Sequence, residues 1–168
     1  IGELKRNGHK RIALLSLPLG EHAITPRKER MSGYKKAIEE AGLMLSEEYI
    51  SSVPREEIGS QVKRMMELPQ PPTALLASND IVLAEILKYA NHHSISIPDD
   101  LSVVGIDDAE FAHIYNPVIT TIRQPAYEMG MQAAKIILSC IEDKGSYVPI
   151  TYRFLPSLQQ GQSVKVVK

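Results

Sequence analysis

The 168-residue sequence has a single cysteine, no tryptophan, and only 5% aromatic residues. Cys140 has no partner within the chain for a disulfide, which is compatible with a reducing compartment. No apolar run is long enough to cross a bilayer, and no secretory signal peptide is visible at the start. We therefore expect a cytoplasmic globular protein.

An excess of charge is also missing. Lysine and arginine number 19 and aspartate and glutamate 20, so the formal net charge is -1. This balance gives no electrostatic footprint for nucleic acid or for an anionic membrane. The sequence also lacks a glycine-rich phosphate loop and a nucleophile elbow, and its histidines do not have zinc-ligand spacing. We predict that the chain is not an enzyme and needs no metal or cofactor.

The sequence does contain a regular alternation of short apolar runs and longer helical stretches. Strands are predicted at 12–17, 49–53, 73–77, 101–106 and 119–122, and helices at 26–41, 55–68, 81–91 and 126–142. We expect Thr25 to cap the first of these helices and Gly42 to end it. This order predicts an α/β fold, a parallel sheet with helices on both faces.

The remaining segments are predicted to be less regular. Residues 111–119 are expected to form a surface loop, residues 143–146 a turn and residues 147–155 a final strand. The polar residues beyond that strand are expected to be weakly structured. Residues 1–8 are typical of the end of a helix, so we expect the chain to begin inside a larger protein.

Polar side chains follow three of the predicted strands. Asn79 comes after the third strand, Asp107 and Asp108 follow the fourth, and Arg30 lies on the helix after the first. Ligands of open parallel sheets bind beyond the carboxyl ends of the strands, where carboxylate, amide and guanidinium groups can hold a polyhydroxylated molecule. The same residues also suit plainer roles, a helix cap for Asn79, turn residues for the two aspartates and a solvated side chain for Arg30.

Several ordered motifs resemble the lac repressor (LacI/GalR) family of transcription regulators. They are Gly8-His9-Lys10-Arg11-Ile12-Ala13-Leu14, Arg30-Met31-Ser32-Gly33-Tyr34, Pro72 to Asp80, Ile97 to Asp108, and Asn116-Pro117 followed by Thr120 to Pro125. The resemblance covers residues 8 to about 158. It implies a periplasmic-binding-protein-like type I fold, of which this chain is mostly the C-terminal lobe.

The resemblance also implies site residues and domain limits. Arg30, Asn79 and Asp107 would contact the ligand, Tyr115 and Pro54 would line its pocket, and Gln124 would lie at the crossing between lobes. Residues 1–122 would form the C-terminal lobe, 123–145 a helix of the N-terminal lobe, and 146–168 the last strand and tail. The helix at 126–142 would then lack the sheet on which it packs. Gln159 to Ser163 replace the family's usual Arg-x-Ser tail.

The function implied is effector sensing, with sugar or a related small molecule as effector, in a DNA-binding regulator, expected to be a repressor. Its helix-turn-helix domain would lie outside this chain, and the whole protein would be a homodimer. One alternative is a periplasmic sugar-binding protein of the same fold. Another is a magnesium-dependent enzyme or receiver-like domain that uses Asp107 and Asp108.

Overall fold

The computed structural model describes residues 1–20, 23–142 and 149–167. Its helices are α1 (Gly2–Arg6), α2 (Thr25–Glu40), α3 (Ile58–Met66), α4 (Asp80–His92), α5 (Glu110–Ile114) and α6 (Ala126–Glu142). Its strands are β1 (Ile12–Ser16), β2 (Ile50–Ser52), β3 (Ala74–Ala77), β4 (Ser102–Ile106), β5 (Thr120–Arg123) and β6 (Ser157–Gln159). None of the helices in these residues is both long and apolar enough to cross a membrane.

The six strands form one sheet in the order β2-β1-β3-β4-β5-β6. The first five are parallel, and β6 pairs antiparallel with β5. The predicted parallel sheet is therefore confirmed, with one antiparallel edge strand added. Because β2 and β3 lie on opposite sides of β1, the strand order reverses next to β1, which is where open α/β sheets place their ligands.

Successive residues of the central strands point to opposite faces of the sheet, and each face has its own core. Ala13 and Leu15 of β1 pack with α3, α4 and α5, whereas Ile12 and Leu14 pack with α1 and α2. The helix faces follow the sequence pattern, since the buried residues recur at helical spacing. They are Met31, Tyr34 and Ile38 in α2, and Ile58, Val62 and Met65 in α3.

The two ends of α2 test the start and stop signals that the sequence predicts for this helix. Gly42 follows the helix with a φ of +65°, a conformation that favours glycine, so it ends α2 as predicted. The expected cap at Thr25 is wrong. The helix begins at Thr25 itself, after Ile24, and no side chain caps it. Pro26 then occupies the first turn, where the missing N–H has no cost.

The region after β4 is more ordered than predicted. Residues 110–114 form the short helix α5 instead of a loop, because Ala112 is buried and Phe111 packs partly against the core. The predicted strand at 147–155 is also wrong over its described part. Residues 149–155 carry no regular structure, and the strand that pairs with β5 begins at Ser157. The predicted turn at 143–146 lies outside the described residues.

The polar tail was expected to be weakly structured, and this expectation is wrong. Ser163 is fully buried, and its hydroxyl donates to the carbonyl of Val103 and accepts from the amide of Thr120. The buried ring of His9 lies 3.0 Å from the carbonyl oxygen of Lys165. The tail therefore forms part of the packed lobe at the amino ends of the strands.

Helix α6 extends over residues 126–142, as the sequence predicts, but none of its side chains is buried. Its exposed apolar residues include Tyr127, Met129, Ile137, Leu138 and Ile141. A helix with this composition packs against another surface in a complete protein. Over the described residues, α6 therefore buries none of its apolar side chains against the sheet, and its assignment to another lobe stays a prediction.

Candidate functional site

Arg30 and Asp107 form the centre of a polar cluster at the carboxyl ends of the strands. The guanidinium of Arg30 donates twice to the carboxylate of Asp107, over 2.9 and 3.1 Å. It also donates to the carbonyl of Ser78, at 2.7 Å. Both charged side chains are partly exposed, at 22% for Arg30 and 29% for Asp107. The two-point geometry fixes the carboxylate while leaving it open to solvent on one side.

Each partner is positioned by the sheet. Arg30 lies on α2, one turn before the buried Tyr34, so its side chain is directed toward the sheet. Asp107 follows β4 and has a φ of +74°, in the left-handed region that residues other than glycine rarely adopt. Its amide donates to the carbonyl of Ile122 on β5, at 3.1 Å. A strained backbone of this kind, held by its surroundings, is characteristic of functional sites.

Asn79 lies at the end of β3, beside Ser78, and acts as a helix cap. Its side-chain oxygen accepts from the amide of Val82, at 3.0 Å, and α4 begins at the next residue. The plainer interpretation of Asn79 is therefore confirmed. The cap fixes the side chain at the same edge of the sheet as Arg30, and its amide nitrogen is a donor that the cap does not use.

Asp108 turns away from Arg30 and binds a second set of donors. Its carboxylate accepts from the hydroxyl of Thr121, from Arg123 Nε at 2.5 Å and from His113 Nε2 at 2.9 Å. Its side chain is only 8% exposed. Burial raises the pKa of this carboxyl group, but the hydrogen bonds from Thr121, Arg123 and His113 outweigh that effect and lower its pKa overall.

The two aspartates meet the residues that leave β5. The side-chain amide of Gln124 donates to Asp107, next to the ion pair of Arg123 with Asp108. These four residues and Ala126 line one open depression of about 240 Å³. Gln124 therefore joins the cluster at the point where the chain leaves the sheet, and its place at a crossing between lobes stays a prediction.

Two predicted pocket residues lie farther from this centre. Pro54 follows β2 at the same edge of the sheet and is exposed. Tyr115 follows α5, and its hydroxyl donates to Asn91 at the end of α4, over 2.7 Å. Tyr115 lines a groove between α4 and α5, and the residues of this groove do not include those of the cluster around Arg30. The structure thus brings Arg30 and Asp107 into contact and places Asn79 next to Ser78, whose carbonyl Arg30 binds, but it places Tyr115 elsewhere.

The magnesium alternative does not fit these contacts. Each carboxylate of the Asp107–Asp108 pair faces an arginine, whose positive charge opposes the binding of a cation beside it. Over residues 1–20, 23–142 and 149–167, no group of three or more His, Cys, Asp and Glu side chains could hold a metal ion.

Three residues of the cluster were not predicted from the sequence. They are Thr121, Arg123 and His113, all of which bind Asp108. Thr121 and Arg123 lie on the strand next to β4, and strand neighbours share polar contacts at their carboxyl ends, so the strand order would have pointed to them. His113 gave no such signal, because its segment was interpreted as a loop.

The polar cluster lies at the carboxyl ends of the strands, which is where open parallel sheets bind ligands. This position defines the class of the chain as a ligand-binding domain. The model of the periplasmic binding protein-like domain family matches residues 1–164. The chain belongs to this family.

Its relatives are regulators rather than enzymes. The "Probable HTH-type transcriptional regulator EndR" of Paenibacillus polymyxa is 40% identical over 141 residues, which are 84% of this chain and 42% of that protein. The HTH-type transcriptional repressor PurR of Actinobacillus pleuropneumoniae serotype 3 is 33% identical over 165 residues, 96% of this chain and 48% of that protein. The chain thus spans less than half the length of these relatives.

A solved structure of a sugar-binding transcriptional regulator of the LacI family from Escherichia coli, complexed with phosphate, superimposes with a TM-score of 0.80. It is 28% identical, and the match covers 98% of this chain and 58% of that chain. Together with the two curated relatives, it confirms the resemblance to LacI-family regulators. The chain corresponds to the effector-binding domain of such a regulator.

Proposed function

We propose that this chain senses an uncharged, hydroxyl-rich effector, a sugar or a close derivative, for a bacterial DNA-binding repressor. The observation that carries the proposal is the Arg30–Asp107 pair, an ordered carboxylate that is partly open to solvent at the carboxyl ends of β3 and β4. A carboxylate in this setting accepts hydrogen bonds from neighbouring hydroxyl groups, which is the chemistry of sugar recognition.

Charge balance favours a neutral effector over a phosphorylated one. The charge of Asp107 is matched by Arg30, and that of Asp108 by Arg123. These four groups therefore leave no surplus positive charge with which to hold a phosphate. Of the predicted ligand contacts, we propose that Asp107 and Arg30 bind hydroxyl groups, that Asn79 donates through its amide nitrogen, and that Pro54 lies at the rim. The role of Tyr115 stays a prediction.

The rest of the regulator is proposed from the family. Residues 1–122 are assigned to the C-terminal lobe, 123–145 to a helix of the N-terminal lobe, and 146–168 to the last strand and tail. A helix-turn-helix domain outside this chain would read the operator, and the whole protein would act in the cytoplasm as a homodimer. The effector would change operator binding through its different affinities for the two arrangements of the lobes.

The first experiment measures the thermal stability of the full-length protein with three groups of compounds, neutral sugars, sugar phosphates and purine nucleosides. A ligand present at a hundred times its Kd stabilises a protein by about 2.7 kcal/mol, which is easily measured. We expect a neutral sugar to raise Tm, and the shift to disappear in Asp107→Ala. In contrast, Asp99→Ala, at an exposed turn, serves as the matched control and should keep the shift.

Operator binding separates a loss of sensing from a loss of folding. Asp107→Ala should bind operator DNA as the unmodified protein does, but without a response to the sugar. A Tm shift that survives in Asp107→Ala would contradict the site assignment. Stabilisation by sugar phosphates alone would contradict the argument from charge balance.

A further inference from the structure

Two consecutive carboxylates at the end of β4 bind two consecutive residues at the end of β5. Asp107 accepts from the side-chain amide of Gln124, and Asp108 accepts from Arg123 Nε. Arg123 is the last residue of β5, and Gln124 is the first residue beyond it. The direction in which the chain leaves the sheet is therefore set by two separate side-chain contacts.

The two contacts differ in burial, in charge and in the number of donors to the carboxylate. Asp108 is nearly buried and has three donors, two of which come from β5, so its ion pair with Arg123 is well shielded from solvent on the carboxylate side. Gln124 is exposed, carries no charge and shares Asp107 with Arg30. A hydroxyl group that donates to Asp107 Oδ1 competes with the amide of Gln124, which donates to the same oxygen, and leaves the contact at Asp108 untouched.

We propose that Gln124 is a positioning residue that responds to occupancy of Asp107. A hydroxyl group of the effector donates to Asp107 Oδ1 in place of the Gln124 amide, and Gln124 is released. Because Arg123 stays bound to Asp108, the chain beyond Gln124 turns about that ion pair. This inference rests on the proposed function, since it takes Asp107 as a contact of the effector.

The segment that would move is α6. The amide of Ala126, the first residue of α6, donates to the carbonyl of Gln124 at 2.8 Å, so the helix start is tied to Gln124. The helix has 17 residues, none of them buried against the sheet. At a rise of about 1.5 Å per residue it is roughly 25 Å long. A small rotation at Gln124 thus becomes a displacement of several ångströms at the far end of α6.

Hydrogen exchange in the full-length protein tests the contact without any ligand. In Gln124→Leu, the competing amide is gone, and we expect peptides covering residues 121–130 to exchange about tenfold faster. Exchange in β3 should stay unchanged, because a general loss of stability would accelerate both regions. Gln162→Leu, which changes another exposed glutamine, is the matched control. Equal exchange in the two variants over residues 121–130 would overturn the inference.

Sugar binding gives a second measurement, the change in Kd caused by Gln124→Leu. The direction of this change distinguishes competition between Gln124 and the sugar from a purely structural role of Gln124. Calorimetric titration with D-glucose, D-ribose and cellobiose gives Kd for each sugar that stabilises the unmodified protein. We expect Gln124→Leu to lower that Kd several-fold, because the effector no longer displaces the amide. A raised Kd is the result of a merely structural role and would overturn the inference. If none of the sugars binds, the proposed effector class fails, while faster exchange over residues 121–130 in Gln124→Leu still supports the positioning role of Gln124.

Discussion

Arg30 and Asp107 meet in a two-point ion pair, with Nη2 2.9 Å from Oδ1 and Nη1 3.1 Å from Oδ2. The same Nη1 donates to the carbonyl of Ser78. One side chain on α2 thereby joins the carboxyl ends of β3 and β4, two strands to which it does not belong. These hydrogen bonds hold the polar side chains of the site in place, which lowers the cost of ordering them when a ligand binds.

Arg30→Lys should weaken this centre even though the positive charge is kept. Lysine cannot offer two parallel donors, so either Asp107 or Ser78 loses a hydrogen bond. We expect the free energy of unfolding of the full-length protein to fall by about 1–2 kcal/mol. Urea denaturation measures the change, and Arg153→Lys, at an exposed position, is the control. A change no larger than that of the control would contradict a structural contribution of the two-point geometry.

Asp108→Asn should lower stability at neutral pH by about 1–3 kcal/mol, because three donors lose a charged acceptor. The folded-state pKa of Asp108 lies below its ordinary value of 3.8, so its contribution is present above that pH and is lost as pH falls through the folded-state pKa. The difference between variant and unmodified protein should therefore shrink in strong acid. Urea midpoints at pH 7 and pH 3 measure it, with Asp99→Asn as control. A difference independent of pH would rule out this charge effect.

His9 should make stability depend on pH in a higher range. Its ring is fully buried, and this burial lowers its folded-state pKa from the ordinary 6.5, although the hydrogen bond to the Lys165 carbonyl acts in the opposite direction. As the pH decreases below 6.5, the unfolded chain therefore binds more protons than the folded one. The free energy of unfolding decreases with it, until the pH passes the folded-state pKa. We expect a lower urea midpoint at pH 5.5 than at pH 7.5, with a smaller decrease in His9→Gln. The same decrease in His9→Gln would assign the effect to other groups.

Two glycines give opposite predictions for the same substitution. A Cβ at Gly161 would collide with the backbone of Val118 to Thr120, against which the tail packs. A Cβ at Gly33, on the exposed side of α2, has no neighbour within 4 Å. Gly161→Ala should therefore destabilise the full-length protein, whereas Gly33→Ala should stabilise it by about 0.5–1 kcal/mol. The Tm of both variants measures these changes in stability. An unchanged Tm in Gly161→Ala would mean that the tail can shift away from the backbone of residues 118–120.

The sheet and its helices were predictable because their signals are local. The run at 12–17 is apolar throughout, and the buried stripe of α2 recurs at helical spacing. Of the two interpretations of Asn79, the helix cap is confirmed, because the strand-to-helix junction needs one, and the ligand contact stays a prediction. The contact between Arg30 and Asp107, with Asn79 beside Ser78, was expected from the parallel sheet, because the carboxyl ends of parallel strands share one edge.

The errors concern segments that depend on distant contacts. The alternating pattern of 147–155 is typical of a strand, but the residues that pair with β5 begin at Ser157. The polar tail gave no sign of order, because Ser163 is buried only after Val103 and Thr120 are in place. Likewise, the contacts of His113 with Asp108 require the helix α5, whose five residues are too few for a periodic signal.

The tail at the amino ends of the strands has a consequence for biosynthesis. Parallel strands β1 to β5 are complete by Arg123, but the chain then leaves through α6 and returns only at Ser157. Ser163 and Lys165, which close the gap beside Val103 and His9, are therefore translated some forty residues after the strands that they join. A nascent chain emerging from the ribosome exposes an unfinished sheet throughout that interval. Final closure of the lobe therefore has to follow synthesis of the tail.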